Sequence, residues 1–266
     1  MKDLLVDRVI LVSGGTQGLG AAIARAAVRE GATVVIGGRN ESRGRAVAEE
    51  LTAAGGQASF VRGDVADVDQ ARGLVAATIE RHGRIDGLVN AAGLTSRGTL
   101  LDTTPELFDQ HLAVNLRGPF LTMQATVADM RRRGVPGSIV NILSIDSHGG
   151  QSFLTPYVAA KAGLAGLTKN AAHAHRWDRI RINGVNMGWT ATDAEDALQR
   201  STTGEGDSRA GGADWQEAAG KTVPMGKVGQ PDEIADFVVF LLSDRSGVVT
   251  GSVIDWDQIV IGGIGA

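Results

Sequence analysis

Cysteine is absent from the 266 residues, which excludes disulfides, thiolate metal ligands and cysteine nucleophiles together. Tyrosine occurs once and proline six times, and no stretch approaches the roughly 18 apolar residues of a membrane-spanning helix. A cationic excess is missing too: 26 Lys and Arg against 30 Asp and Glu leave a formal net charge of −4, which argues against a nucleic-acid-binding face. The one basic run, Arg131-Arg132-Arg133, ends a helical pattern just before Gly134 and reads as a helix C-terminus, where cations belong, rather than a phosphate patch. Met1–Arg8 carries acids and only a short apolar run, unlike a secretory leader, so a cytoplasmic location is expected. His82, His111, His173 and His175 do not cluster with acids, and no metal site is expected.

Glycine is what the chain has in excess. Its 37 glycines are about twice average usage, with no collagen-like period, so they serve turns and close backbone approaches. Hydrophobic residues at 43% and charged residues at 21% are ordinary globular proportions.

Short β-branched runs alternate with alanine-rich helical segments. The pattern predicts strands at Val9–Ser13, Thr33–Ile36, Ala58–Arg62, Gly87–Asn90, Ser138–Leu143, Arg181–Asn186 and Ser252–Asp255. Helices are expected over Leu19–Glu30, Glu41–Ala54, Val68–His82, Pro105–Arg133, Tyr157–His175 and Pro231–Leu242. Apolar strands separated by helices imply a seven-stranded parallel sheet covered on both faces: a doubly wound, Rossmann-like α/β fold in a single domain spanning 1–266. A polar, glycine-bearing stretch at 193–222, with short helices around Ala194–Arg200 and Trp215–Gly220, is expected to act as a substrate lid.

Between the first strand and first helix lies Ser13-Gly14-Gly15-Thr16-Gln17-Gly18-Leu19-Gly20. Gly14 suits a tight turn, Gly18 a close approach of backbone to a pyrophosphate, and Gly20 close packing of the helix on the sheet. The second strand runs into Gly37-Gly38-Arg39-Asn40 with no acid before Glu41. A carboxylate there would select the ribose hydroxyl of NAD(H), whereas Arg39 suits a 2′-phosphate, so NADP(H) is expected over NAD(H). Downstream, Tyr157 and Lys161 stand one helical turn apart on a predicted helix. An ammonium at that distance favours a phenolate, which makes the pair a sensible acid/base unit.

With Asp64-Val65, Asn90-Ala91-Ala92-Gly93, Asn115, Ile139–Ser144, Asn183–Thr192 and Pro224–Ala235 added in order, the chain resembles the short-chain dehydrogenase/reductase family over nearly its whole length. The resemblance implies an NAD(P)-dependent oxidoreductase that moves a hydride between nicotinamide and a carbonyl or alcohol carbon. It implies that Tyr157 is the acid/base, that Ser144 bonds the substrate oxygen, and that Lys161 lowers the tyrosine pKa and holds the nicotinamide ribose. Asn115 would anchor a water linking Lys161 to solvent. Asp64 and Val65 would contact adenine, Asn90 would lie near the adenosine ribose, and a homotetramer would form through the long central helices and the last strand. The alternative is an NAD(P)-binding scaffold without turnover, for which an intact Asn115, Ser144, Tyr157 and Lys161 would have no chemical use.

The chain departs from the family pattern in places. Met187-Gly188 replaces Pro-Gly in the loop whose backbone reads the nicotinamide, with Trp189 and Thr192 at the matching contact positions. Asp255-Trp256-Asp257-Gln258 replaces Asp-Gly-Gly, and Trp256 is expected at an interface. Asp146, His148, Gln151 and Trp189 are expected at the pocket mouth, where they suit a polar, polyol or sugar-like alcohol.

Overall fold

The computed structural model describes residues 3–149, 151–201 and 212–261. Seven strands form one sheet: β1 Val9–Ser13, β2 Thr33–Gly38, β3 Gln57–Arg62, β4 Gly87–Asn90, β5 Gly137–Ser144, β6 Ile180–Met187 and β7 Val253–Trp256. All neighbouring pairs are parallel, in the order β3-β2-β1-β4-β5-β6-β7. The chain winds outward from β1 through β2 to β3, then returns to the other side of β1 with β4. The order reverses between β1 and β4, where a crevice opens beyond the strand C-termini.

The sheet is apolar on both faces because both are covered. Along β1, Ile10 and Val12 pack with Ile23 of helix α1 (Gly18–Arg29), Leu51 of α2 (Glu41–Ala53) and Val238 of α9 (Pro231–Leu242). Leu11, between them, packs on the opposite face with Leu74 of α3 (Val68–His82), Met123 of α5 (Gly118–Arg133) and Leu164 of α6 (Thr155–His175). Each such side chain contributes about 1.5–3 kcal/mol of burial. The period-two alternation of the strands sets the two layers.

The helix expected over Pro105–Arg133 is interrupted. It comprises α4 (Pro105–Leu112), a π-helical turn over Ala113–Arg117, and α5. Pro119 has no N–H to return to the Asn115 carbonyl four residues back, and the turn instead closes from Gly118 N to Ala113 O. The triple arginine does end α5: Gly134 takes the left-handed conformation (φ 67°), and Arg132 and Arg133 both pair with Asp129. Within 193–222 the described parts are α7 (Asp193–Ser201) and α8 (Trp215–Gly220), as the pattern suggested. The glycines at 204, 206 and 211 lie outside the described residues. Among the described residues, no helix is long and apolar enough to cross a membrane, and no His/Asp/Glu group has the arrangement of a metal site.

Candidate active site

A cleft of about 680 Å³ runs along the C-terminal ends of the strands, from Arg39 at one end to Tyr157 at the other. Its floor is the glycine-rich turn. Gly14 adopts φ 83°, and a Cβ there would collide with the Ala92 backbone at the end of β4. Gly20 proves to pack on the turn itself rather than on the sheet, since its Cβ would strike the Gly14 carbonyl. Gly18 is different: space around it is open, with Thr192 Cβ 3.9 Å away, and the left-handed φ of 53° is what demands glycine. Gln17, the extended residue before α1, makes no side-chain cap, so among the described residues the first N–H groups of that helix are available to an anion. These features fit a dinucleotide, with its pyrophosphate over Thr16–Gly20.

At the end formed by β2 and β3, Arg39, Asn40, Asp64 and Val65 line the wall. Arg39 reaches Asp64 at 3.7 Å and is otherwise exposed. The Asn40 side chain is engaged locally, accepting from Arg43 N at 3.0 Å and so capping α2. Asp64 similarly accepts from Ala66 N at 2.9 Å. Sequence reasoning missed Arg43, which lines the same wall and donates to Gln17 Oε1. The available signal was its place in the first turn of α2, four residues beyond Arg39.

Ala91, Ala92 and Gly93 line the cleft midway. The Asn90 side chain does not, being spent in a closed network beneath it. Its amide donates to Asn141 Oδ1 at 2.9 Å, its carbonyl accepts from Thr122 at 2.7 Å, and Asn141 donates to Thr168 at 2.9 Å. Any contact of Asn90 with a ribose is therefore left to its backbone. Asn115 sits in the π-turn, wholly buried. Its Oδ1 accepts from Leu94 N and its Nδ2 donates to Leu94 O, both at 3.0 Å.

At the other end Tyr157 and Lys161 project from α6 onto the cleft wall. Both are buried, and the Lys161 Nζ lies 5.6 Å from the phenol ring centre while donating to Ile142 O at 2.7 Å. Burial pushes the Tyr157 phenol up to about 12; a hydrogen bond with Ser144 works against that rise and the Asp146 carboxylate adds to it. Burial also pushes Lys161 down to about 8. Among the protein's own groups, desolvation thus dominates at the phenol and the only opposing pull comes from Ser144, not from Lys161 as the spacing led one to expect. Ser144, the last residue of β5, donates to Asp146 Oδ2 at 3.0 Å and accepts from Asp146 N at 3.2 Å.

The expected mouth residues divide. His148 Nε2 lies 2.9 Å from Asp255 Oδ1, to which Asn186 Nδ2 also donates at 2.7 Å, so the turn after β5 is fastened to the ends of β6 and β7. Partial burial works against charge on Asp255, but its bonds to His148 and Asn186 hold the carboxyl below the usual carboxylate range. The Gln151 carbonyl accepts from Leu154 N at the start of α6. Trp189 is not on the cleft wall: its indole stacks on Trp215 with ring centres 5.8 Å apart and donates to Glu195 at 2.8 Å. That stack covers one face of the ring. Gly188 makes room for Asp257, with which a Cβ would collide, while Met187 and Thr192 line the cleft. Trp256 covers Gly229, whose Cβ would come within 2.7 Å of its ring.

Comparison with known proteins agrees with this geometry. The family model described as enoyl-(acyl carrier protein) reductase matches residues 14–258. An L-rhamnose 1-dehydrogenase (NAD(P)(+)) of Azotobacter vinelandii is 38% identical over 94% of both chains. A 3-oxoacyl-[acyl-carrier-protein] reductase of Chlamydia pneumoniae is 32% identical over 99% of both. A short-chain type dehydrogenase/reductase crystal structure from Mycobacterium marinum superposes with a TM-score of 0.85 at 30% identity, covering 96% of this chain and 95% of that one. The chain belongs to the short-chain dehydrogenase/reductase family and is one of its NAD(P)-dependent oxidoreductases.

Proposed function

We propose that the chain interconverts a secondary alcohol and a carbonyl on a neutral, hydroxyl-rich substrate, with NADP(H) preferred over NAD(H). The convergence of Ser144, Tyr157 and Lys161 at the end of β5, beside the cleft, carries this reading. The nicotinamide supplies hydride exchange when bound. Tyr157 gives its phenolic proton to the substrate oxygen in reduction and takes it back in oxidation. Ser144, on turning its one hydroxyl hydrogen from Asp146, donates to that same oxygen and meets the charge developing there. Lys161 holds the ribose hydroxyls, and Asn115 anchors the water through which the proton reaches solvent.

The preference for the phosphorylated nucleotide rests on Arg39 and Arg43, two guanidinium groups on the same stretch of cleft wall with no acid among residues 37–40. The substrate class rests on Asp146 beside Ser144 and on the His148–Asp255 pair: carboxylates repel an anionic substrate and accept from hydroxyls. Residues 193–222 act as the lid. Thr192 and Ala194 line the cleft, and the Trp189–Trp215 stack couples α8 to the loop after β6. Assembly is a homotetramer, in keeping with the exposed Phe120 and Val248.

Steady-state oxidation of a panel of neutral polyols, simple secondary alcohols and hydroxy acids with each nucleotide tests the assignment. Tyr157→Phe is expected to lower kcat at least about a hundredfold while nucleotide affinity stays within about twofold. Undiminished turnover in that variant would remove Tyr157 from the chemistry.

A further inference from the structure

His111, in the last turn of α4, is wholly buried, and the chemistry proposed above makes no use of it. Its Nδ1 lies 3.2 Å from Asn115 Nδ2, one turn further along. The orientation of the Asn115 amide is fixed independently, because its oxygen faces Leu94 N and its nitrogen faces Leu94 O. Exchanging the two ends would set donor against donor and acceptor against acceptor. An amide nitrogen has no lone pair to offer, so His111 Nδ1 must accept and the ring proton must sit on Nε2.

That tautomer places the two ring edges in different settings. Nδ1 completes the Asn115 amide, using the second hydrogen of its nitrogen. Nε2 is buried and makes no hydrogen bond among the described residues. The ring meets Tyr157 edge-on, with centres 6.3 Å apart and planes at 82°. One imidazole therefore touches both the group proposed as acid/base and the group proposed as water anchor.

We propose that neutral His111 is a positioning residue for proton transfer: its Nδ1 lone pair holds the Asn115 amide in the π-turn while its ring walls the Tyr157 phenol. A protonated ring would turn N–H toward N–H at Asn115 and push the amide against its two Leu94 bonds. Burial pushes the His111 pKa down, in the direction that keeps the ring neutral. On α6 the ionisable group that faces it is Tyr157, and the Lys161 ammonium lies 5.6 Å from that phenol ring. The proposal rests on the acid/base roles given above to Tyr157 and Asn115.

Two variants separate positioning from mere packing. In His111→Asn the side-chain oxygen falls close to where Nδ1 stood and still accepts, whereas His111→Leu keeps similar bulk without an acceptor. Alcohol oxidation should lose about tenfold or more in kcat in His111→Leu, with nucleotide KM within about twofold and the pH profile displaced, while His111→Asn stays within about threefold of wild type. Equal losses in both variants, or a Leu variant that changes only the melting temperature, would overturn the proposal. Heteronuclear NMR of the imidazole nitrogens reads the tautomer without turnover. An unprotonated Nδ1 at neutral pH is expected, and a protonated Nδ1 would overturn the proposal even in active enzyme. A chain that shows this tautomer and binds nucleotide but turns over no alcohol or carbonyl would refute the dehydrogenase reading instead, and with it the role given to His111.

Discussion

The two ends of the cleft are built by opposite means. At the end that runs from the glycine-rich turn to Arg39, proposed to take the adenosine half of the nucleotide, the parts are backbone and exposed cations: a helix N-terminus, glycines that let chain touch chain, and guanidinium groups largely in water. At the other end they are side chains taken out of water, with a phenol and an ammonium both buried. The first end is limited by sterics and the second by desolvation, so substitutions should fail differently at each. The sharpest steric test is Gly20→Ala. Its Cβ would strike the Gly14 carbonyl, a backbone atom that cannot rotate aside, and the variant should lose about 3 kcal/mol of stability along with most nucleotide affinity. At Gly18, where only φ is at stake, alanine should cost about 1 kcal/mol. Urea midpoints of both variants check this; equal midpoints would mean that the turn relaxes freely.

The desolvated end should behave in the reverse sense. Lys161 is depressed from 10.5 to about 8 by burial. Below pH 8 it is charged in both the folded and unfolded chain, so the folded state bears the full cost of a buried ammonium, about 3 kcal/mol for a shift of this size. Between pH 8 and 10.5 the unfolded chain binds more protons than the folded one, and stability rises with pH as that cost fades. Lys161→Met removes the charge but leaves the Ile142 carbonyl without its donor, a loss of about 1 kcal/mol. The variant should therefore be inactive yet more stable than wild type by about 2 kcal/mol at neutral pH, with the gain disappearing by pH 10.5. Denaturant unfolding across that range measures it. A less stable variant at neutral pH would show that the hydrogen bond outweighs the burial cost.

The same division explains what the sequence made legible. Strand and helix order came through because a two-faced sheet forces apolar runs of fixed length between helices, and the observed strands differ from the expected ones by two residues at most. The glycine turn was readable because its constraints are local. What stayed hidden depended on partners distant in sequence. Asn90 reads as a cleft residue until Asn141 and Thr122 are seen to occupy it, and Trp189 reads as a free ring until Trp215 is found stacked on it. The π-turn was signalled only by Gly118-Pro119, too weak a cue against a long helical period. Spacing alone also missed the balance at Tyr157, because burial depends on everything packed around the pair.

The smallest effect is expected at the Arg39 rim of the cleft, where the side chain is 69% exposed. Arg39 lies 3.7 Å from Asp64, and at that exposure its own ion pair adds little to stability. Its value should appear only against a ligand phosphate. Arg39→Asp removes a cation, places a second carboxylate beside Asp64 and leaves Arg43 as the remaining cation on that stretch of wall. NADPH affinity should fall about tenfold, near 1.4 kcal/mol, while NADH affinity changes by less than about threefold and stability stays within about 0.5 kcal/mol. The loss should also shrink as salt is added, because two exposed charges are screened over roughly 10 Å. Titration of each nucleotide at low and high ionic strength measures both. If the two nucleotides lose affinity alike, Arg39 contacts a part they share, and Arg43 becomes the candidate for reading the 2′-phosphate.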